Sequence, residues 1–260
     1  MVGKSNGTYS STRKFLPKTK ITKDEAKKMI NRLKNKGKRF KLSYDGQVLR
    51  IINLPKNYKD YPYILASFPN SYYEKKMWYT KQRTKNDLTP AKTAKLMSDE
   101  DKDLICEKVK KNLELRLNID YRKSLTSDWK EELSNTYRDT SLNRSLNAYV
   151  KAAKARKIVA SSSQIVVDPS SLWTDKGGSS CYVRVYTKFR VKSGQVPSAK
   201  SSLQNEVIYG SYTALKNLSS KKTVTFMDEI KVNVSYTNGK MTSYGIDWGG
   251  DSLADVIGNK

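Results

Sequence analysis

The sequence predicts an α+β fold in which a helical cluster packs on a curved antiparallel sheet, preceded by a small N-terminal unit of one helix plus a β-hairpin. Three observations predict it. Apolar residues recur every three or four positions through most of residues 98–157, the spacing of one helix face. Beyond Ile158 the period falls to two, the spacing of a half-buried strand. Helices grouped ahead of strands, without alternation, point to an antiparallel sheet with helices on one face.

The elements follow in order. Residues 1–20 have almost nothing to bury and read as a disordered basic arm. Residues 21–55 read as a basic helix and hairpin. Thr22 and Glu25 form a capping box, Ala26, Met29, Ile30 and Leu33 fall at helical spacing, and Gly37 is a C-terminal stop. Asp45-Gly46 between Phe40-Lys41-Leu42 and Val48–Ile52 predicts a type I′ turn with positive φ at both residues. Residues 56–96 form an aromatic, irregular connector, with 81–90 as its exposed break.

An α+β domain is expected over residues 97–248. Ser98 caps a helix whose first turns hold Asp99, Glu100, Asp101 and Asp103, acids that suit the positive end of the macrodipole. Ile105, Val109, Leu113 and Leu117 are its core stripe. Further helices are expected at 127–137, burying Trp129 and Leu133, and at 142–157, burying Leu142, Leu146, Tyr149, Val150 and Ala153. Strands are expected at 158–168, ending at Pro169, and at 181–192, 206–215 and 223–236. Asn238-Gly239 then turns tightly into 241–248, and 249–260 is a frayed tail.

Composition excludes several chemistries. The 260 residues hold 50 Lys and Arg, 25 Asp and Glu, two Cys and no His, a formal charge of +25. Without His there is no Ser-His-Asp triad and no His-ligated metal. Cys106 and Cys181 cannot complete a four-cysteine site and read as free thiols on apolar faces. Gly177-Gly178 and Gly249-Gly250 fit neither a P-loop nor a dinucleotide fingerprint, so no cofactor is expected. No run approaches the roughly 20 apolar residues that span a bilayer.

The charge is uneven. Residues 1–50 carry 15 Lys or Arg against three acids, whereas residues 201–260 balance at six against six. A positive field of this kind attracts nucleic acid, anionic headgroups or the acidic polymers of a bacterial wall. The candidate polyanion-binding residues are Lys27, Lys28, Arg32, Lys34, Lys36, Lys38, Arg39 and Lys41, against the blander reading of a solvated helix face. A secondary candidate is the even face of the 181–192 strand, where Tyr182, Arg184, Tyr186, Lys188 and Arg190 could stack and pair with a single-stranded nucleic acid. The alternative there is packing under a neighbouring element.

At Tyr61-Pro62-Tyr63-Ile64-Leu65, Pro69-Asn70-Ser71-Tyr72-Tyr73-Glu74 and Leu117-Asn118-Ile119-Asp120-Tyr121-Arg122 leading to Trp129, the chain resembles the C-terminal region of Gram-positive surface proteins. In that family the region accompanies stalk domains similar to the N-terminal domain of copper amine oxidases. The resemblance implies an exported, non-catalytic module; on its motif Asp120 beside Tyr121 and Arg122, with Asp128 and Trp129 nearby, reads as a structural ion-pair and hydrogen-bond node, against the alternative of paired-carboxylate hydrolysis. The order of helices then long strands is also similar to the cone of the nuclear transport factor 2 superfamily, a likeness of topology that carries no function. Together these lead us to expect a non-enzymatic protein of a bacterial cell surface, its signal removed, docking on an anionic polymer through its basic N-terminal region. The alternative is a cytoplasmic, phage or mobile-element protein that binds nucleic acid.

Overall fold

The computed structural model describes residues 20–35, 40–139, 143–155, 157–194 and 223–247. The expected basic arm, the Gly37 stop, the 206–215 strand and the C-terminal tail lie outside them, as do Lys36, Lys38, Arg39 and Leu142. The chain divides into two compact units, Met1–Lys59 with Tyr63–Glu74, and Asp60–Pro62 with Lys75–Lys260. The segment 56–96, expected as one connector, is therefore shared out between them.

In the first unit, α1 (Lys23–Lys34) starts at the expected capping box. The hairpin that follows is shorter than expected. Leu42 pairs with Val48, but Leu49 pairs instead with Leu65. Its turn also differs: Gly46 has φ +80, whereas Asp45 does not have positive φ. The Gly46 amide donates to Ser43 O and the Ser43 amide to Gln47 O, both at 2.9 Å. This is a three-residue loop with glycine in the left-handed position, so one positive φ suffices where type I′ needs two. The unit's core is aromatic. Phe68 stacks on Tyr72 at 4.1 Å, and Tyr73 meets Tyr72 edge-on at 5.1 Å. Around it, α2 (Asn70–Glu74) supplies both tyrosines, and the Tyr73 hydroxyl accepts the Leu65 amide at 3.0 Å. Arg50 donates to the Asn70 side chain and to the Phe68 carbonyl, tying strand to helix.

The second unit is α+β. Three helices lead in: α3 (Trp78–Gln82), α4 (Pro90–Leu96) and the long α5 (Asp99–Leu117). Ser98 caps α5 through the Asp101 amide, and Ile105, Val109, Leu113 and Leu117 are all buried, as their spacing requires. After β1 (Ile119–Asp120) come α6 (Ser127–Ser134) and α7 (Asn143–Ala155). Trp129, Leu133, Leu146 and Ala153 are buried, and Val150 packs half-buried against the same core. The segment between α3 and α4, expected as an exposed break, is tied down. Leu88 donates to the Thr174 carbonyl at 3.0 Å, and Asp87 accepts the Lys176 amide at 3.1 Å.

The strands β2 (Val159–Thr174), β3 (Ser180–Ser193), β4 (Thr223–Thr237) and β5 (Lys240–Ile246) join β1 in one curled antiparallel sheet of order β1-β2-β3-β4-β5. Strand β2 does not end at Pro169. Pairing resumes after a large irregularity: Asp168 faces Arg184, and the next pair is Trp173 with Tyr182. Pro169 lies inside this bulge, where its missing amide breaks no ladder bond. The bulge is stitched by Ser170 donating to Asp168 Oδ1 and by Ser171, whose hydroxyl accepts the Arg184 amide at 2.8 Å. Two further register shifts in β2 bend the same strand, and bending is what lets one sheet wrap a helix.

The odd residues of β3, from Cys181 to Val191, face the core as predicted, opposite Ile230 and Val232 of β4. At the β4–β5 turn both Asn238 (φ 51) and Gly239 (φ 76) are left-handed, the predicted type I′ geometry. The free edge of β5 is covered by the chain leaving α6: Arg138 donates to Ile246 O and Ile246 to Thr136 O, each at 2.9 Å. Gly245 permits that approach, because a Cβ there would lie 2.5 Å from Arg138 N and 2.6 Å from Tyr137 C. Gly245→Ala should therefore cost about 2 kcal/mol or more in urea unfolding. Gly239→Ala, with open space around it but a left-handed backbone, should cost only about 1 kcal/mol.

Candidate functional site

The basic helix comes first in the chain. Thr22 Oγ1 accepts the Glu25 amide at 3.2 Å and the Glu25 carboxylate accepts the Thr22 amide at 2.8 Å, so the helix start is closed by its own residues. Along it Lys27, Lys28 and Lys34 are exposed, and among the described residues no carboxylate pairs with them. Arg32 is half-buried, its guanidinium 4.1 Å from the centroid of the Phe40 ring, and Lys41 is exposed. The helix buries none of its residues: Ile30 and Leu33 of the apolar stripe are 51% and 54% exposed. The sequence marks the stripe as an inner face; the structure leaves Ile30 and Leu33 more than half exposed and Ala26 and Met29 half-buried.

The secondary candidate face is divided. Tyr182, Arg184, Tyr186, Lys188 and Arg190 do share one side of β3, but at one end that side is a second interior. Here the residues cross the sheet in rows. One row is Asp168, Arg184 and Glu229 on β2, β3 and β4, all three buried. Arg184 Nε lies 3.4 Å from Glu229 Oε1, and Arg184 Nη2 donates to Lys75 O at 2.9 Å and to Thr80 Oγ1 at 3.2 Å. Glu229 in turn accepts the Thr80 amide at 2.7 Å. Tyr61 covers the row, its ring 5.9 Å from the guanidinium, and its hydroxyl is pushed up to about 12, chiefly by burial. Arg184 is therefore corrected from a ligand-facing residue to a clamp between the sheet and residues 75–80. A buried cation flanked by carboxylates is held by Coulomb attraction that solvent does not screen.

The next row is aromatic. Trp173 stacks on Tyr182 at 4.1 Å, Tyr79 packs on Tyr182 at 4.8 Å, and the Arg83 guanidinium sits 5.9 Å from the Trp173 ring. Tyr182 is thus engaged within the protein. Toward the other end Tyr186 and Lys188 are half-buried, with the Lys188 ammonium 5.6 Å from the Tyr186 ring, and Arg190 is exposed.

The remaining acidic and thiol groups have structural surroundings. Asp120 accepts Arg122 Nε at 2.8 Å and Nη2 at 2.6 Å, a bidentate pair that holds its carboxyl down at about 2. Asp99 pairs with Lys102 at 2.5 Å within the first turns of α5. Cys106 and Cys181 are free thiols, and burial pushes Cys181 up to about 12. Among the described residues no three Cys, Asp or Glu converge as metal ligands, and no helix is long and apolar enough to cross a membrane.

Glu229, Asp168 and Thr80 were not singled out by the sequence. Only the strand register brings the first two beside Arg184, and only the tertiary fold brings Thr80. Comparison with protein-family models, curated proteins and solved structures finds nothing that matches this chain. The fold defines an α+β protein with an antiparallel meander sheet.

Two measurements check these sites. Arg184→Met leaves Glu229 buried without its cation and should cost about 3–5 kcal/mol in urea unfolding, whereas adding Glu229→Gln should recover part of the loss. For Asp120, the carboxyl value in the folded chain lies below the ordinary 3.8, so its stabilisation holds above that value and is lost as pH falls toward about 2. Carboxyl NMR should place the Asp120 midpoint near 2, and Arg122→Gln should return it to the ordinary range.

Proposed function

We propose that this is a non-catalytic binding protein of a bacterial cell surface. Its basic N-terminal region docks on a polymer or other dense array of negative charge, and its α+β unit is a scaffold built like the nuclear transport factor 2 cone. One observation carries the reading: α1 presents Lys27, Lys28 and Lys34 to solvent without carboxylate partners among the described residues, on a helix that buries nothing. Charges paired within a fold are unavailable to a partner; these remain available. The concentration of 15 basic residues in the first 50 adds the long-range field. The motif resemblance supports the surface placement, and the short β1 strand, long helix and bent meander support the cone.

The nucleic-acid alternative is weakened at its second site, because Arg184 is buried in an ion-pair row and Tyr182 is packed between Trp173 and Tyr79. A base would find neither group presented for stacking or pairing.

The full chain should be retained on heparin resin until high salt. Substituting Lys27, Lys28 and Lys34 together with Gln should lower the elution salt and flatten the dependence of log affinity on log salt by roughly 0.7–0.9 for each lysine in contact. Equal elution of the two proteins removes α1 from the binding surface.

A further inference from the structure

Helix α1 exposes cations and an apolar stripe together. Ala26, Met29, Ile30 and Leu33 share one face, and Lys23, Lys27 and Lys34 fall along one edge of it at helical spacing, with Arg32 beyond the other edge. Ile30 and Leu33 are more than half exposed, and Ile21, just ahead of the helix, is 43% exposed. A helix kept only for solubility has no need of this stripe, and a helix kept only for packing would cover it.

We propose that α1 lies flat on an anionic lipid bilayer, with Ile30 and Leu33 at the acyl boundary and Lys23, Lys27 and Lys34, along one edge of the stripe, among the headgroups. The inference rests on the reading of the N-terminal region as the anion-docking surface and names lipid phosphate as the anion. Charge and apolarity together select this occupant. A dissolved polyanion would neutralise Lys27, Lys28 and Lys34 but leave Ile30 and Leu33 in water. A second copy of the chain would cover the stripe but bring two rows of lysines together. An anionic bilayer meets both demands, since the lysine stems can follow the apolar surface while their ammonium groups stay at headgroup level. At 12 residues, or about 18 Å, the helix is too short to span and suits the interfacial plane.

The test uses the full chain and sedimentation with vesicles of pure phosphatidylcholine or of equal parts phosphatidylcholine and phosphatidylglycerol. The wild type should sediment with the anionic vesicles and stay in solution with the neutral ones, and raising salt to about 1 M should release it. Ile30→Ser with Leu33→Ser, which leaves the charge unchanged, should lower the partition coefficient at least tenfold yet leave elution from heparin where it was. Ile30→Leu should partition like the wild type. Because α1 contributes no buried residue, circular dichroism and urea midpoints of these variants should match the wild type. Retention on heparin without vesicle binding overturns the bilayer and leaves docking on a polymer, and equal partitioning of the double serine variant overturns the seating of the apolar stripe, leaving attraction by charge alone. Self-association in the absence of lipid that the double serine variant abolishes overturns it in favour of a second copy. Failure to bind either heparin or vesicles overturns the docking reading as well.

Discussion

Strand β3 has to bury both of its faces along part of its length, and the second unit is arranged around that constraint. Its core face is met by apolar residues of α5 and β4 in the ordinary way. On its other face Arg184 is the buried charged side chain, and a guanidinium cannot be left inside a protein without partners. Glu229 on one neighbouring strand answers the demand with an ion pair at 3.4 Å, and the register sets Asp168 opposite Arg184 on the other. The remaining donors of Arg184 then fix residues 75–80, because Lys75 O and Thr80 Oγ1 are where those donors reach. Residues far apart in sequence are thus held by one planar cation. Its planar geometry makes the arrangement specific in a way that an apolar contact would not be.

Sheet curvature follows from the same strand neighbourhood. The β2 bulge that begins at Asp168 puts that carboxylate opposite Arg184 and lets Trp173 rejoin the ladder beside Tyr182. Without the extra residues, either the ionic row or the aromatic row could pair in register, but not both. Pro169 sits where an unpaired stretch is required, and the serines after it replace the missing ladder bonds with side-chain ones. At the far edge, the chain leaving α6 pairs with β5 only because Gly245 has no side chain. Bulge and glycine together let the sheet curl toward closure, and both free edges end as short or covered strands.

Much of this was legible from residue types and spacing, and the exceptions have physical causes. The Ser98 cap, the Ile105–Leu117 stripe, the alternation in β3 and the Asn238-Gly239 turn are local signals, and each is seen where expected. Pro169 misleads because proline ends a strand only where its amide is needed, and a bulge removes that need. Asp45-Gly46 misleads because the same dipeptide also serves a three-residue loop. Arg184 misleads most: alternation assigns it to the face away from the core, but alternation does not say whether that face meets water. Nothing within β3 distinguishes Arg184 from Arg190, yet one is buried between carboxylates and the other is exposed. The difference lies in residues 61 and 75–82, whose placement no local period encodes.

The first unit reverses that lesson. In β3 a cationic face proves to be partly interior, whereas in α1 an apolar face proves to be exterior. Both departures come from reading one side chain at a time when burial is decided by what lies opposite. For Arg184 the opposite groups are within the chain and its charge is neutralised there. For Lys27, Lys28 and Lys34 no such groups are present among the described residues, and Ile30 and Leu33 are more than half exposed. The closed capping box favours the helical form of α1, and in that form the lysines and the stripe share one surface. A surface that pairs positive charge with exposed hydrocarbon is complementary to a partner that is negative outside and apolar beneath, which is the chemistry of a headgroup layer over its acyl chains.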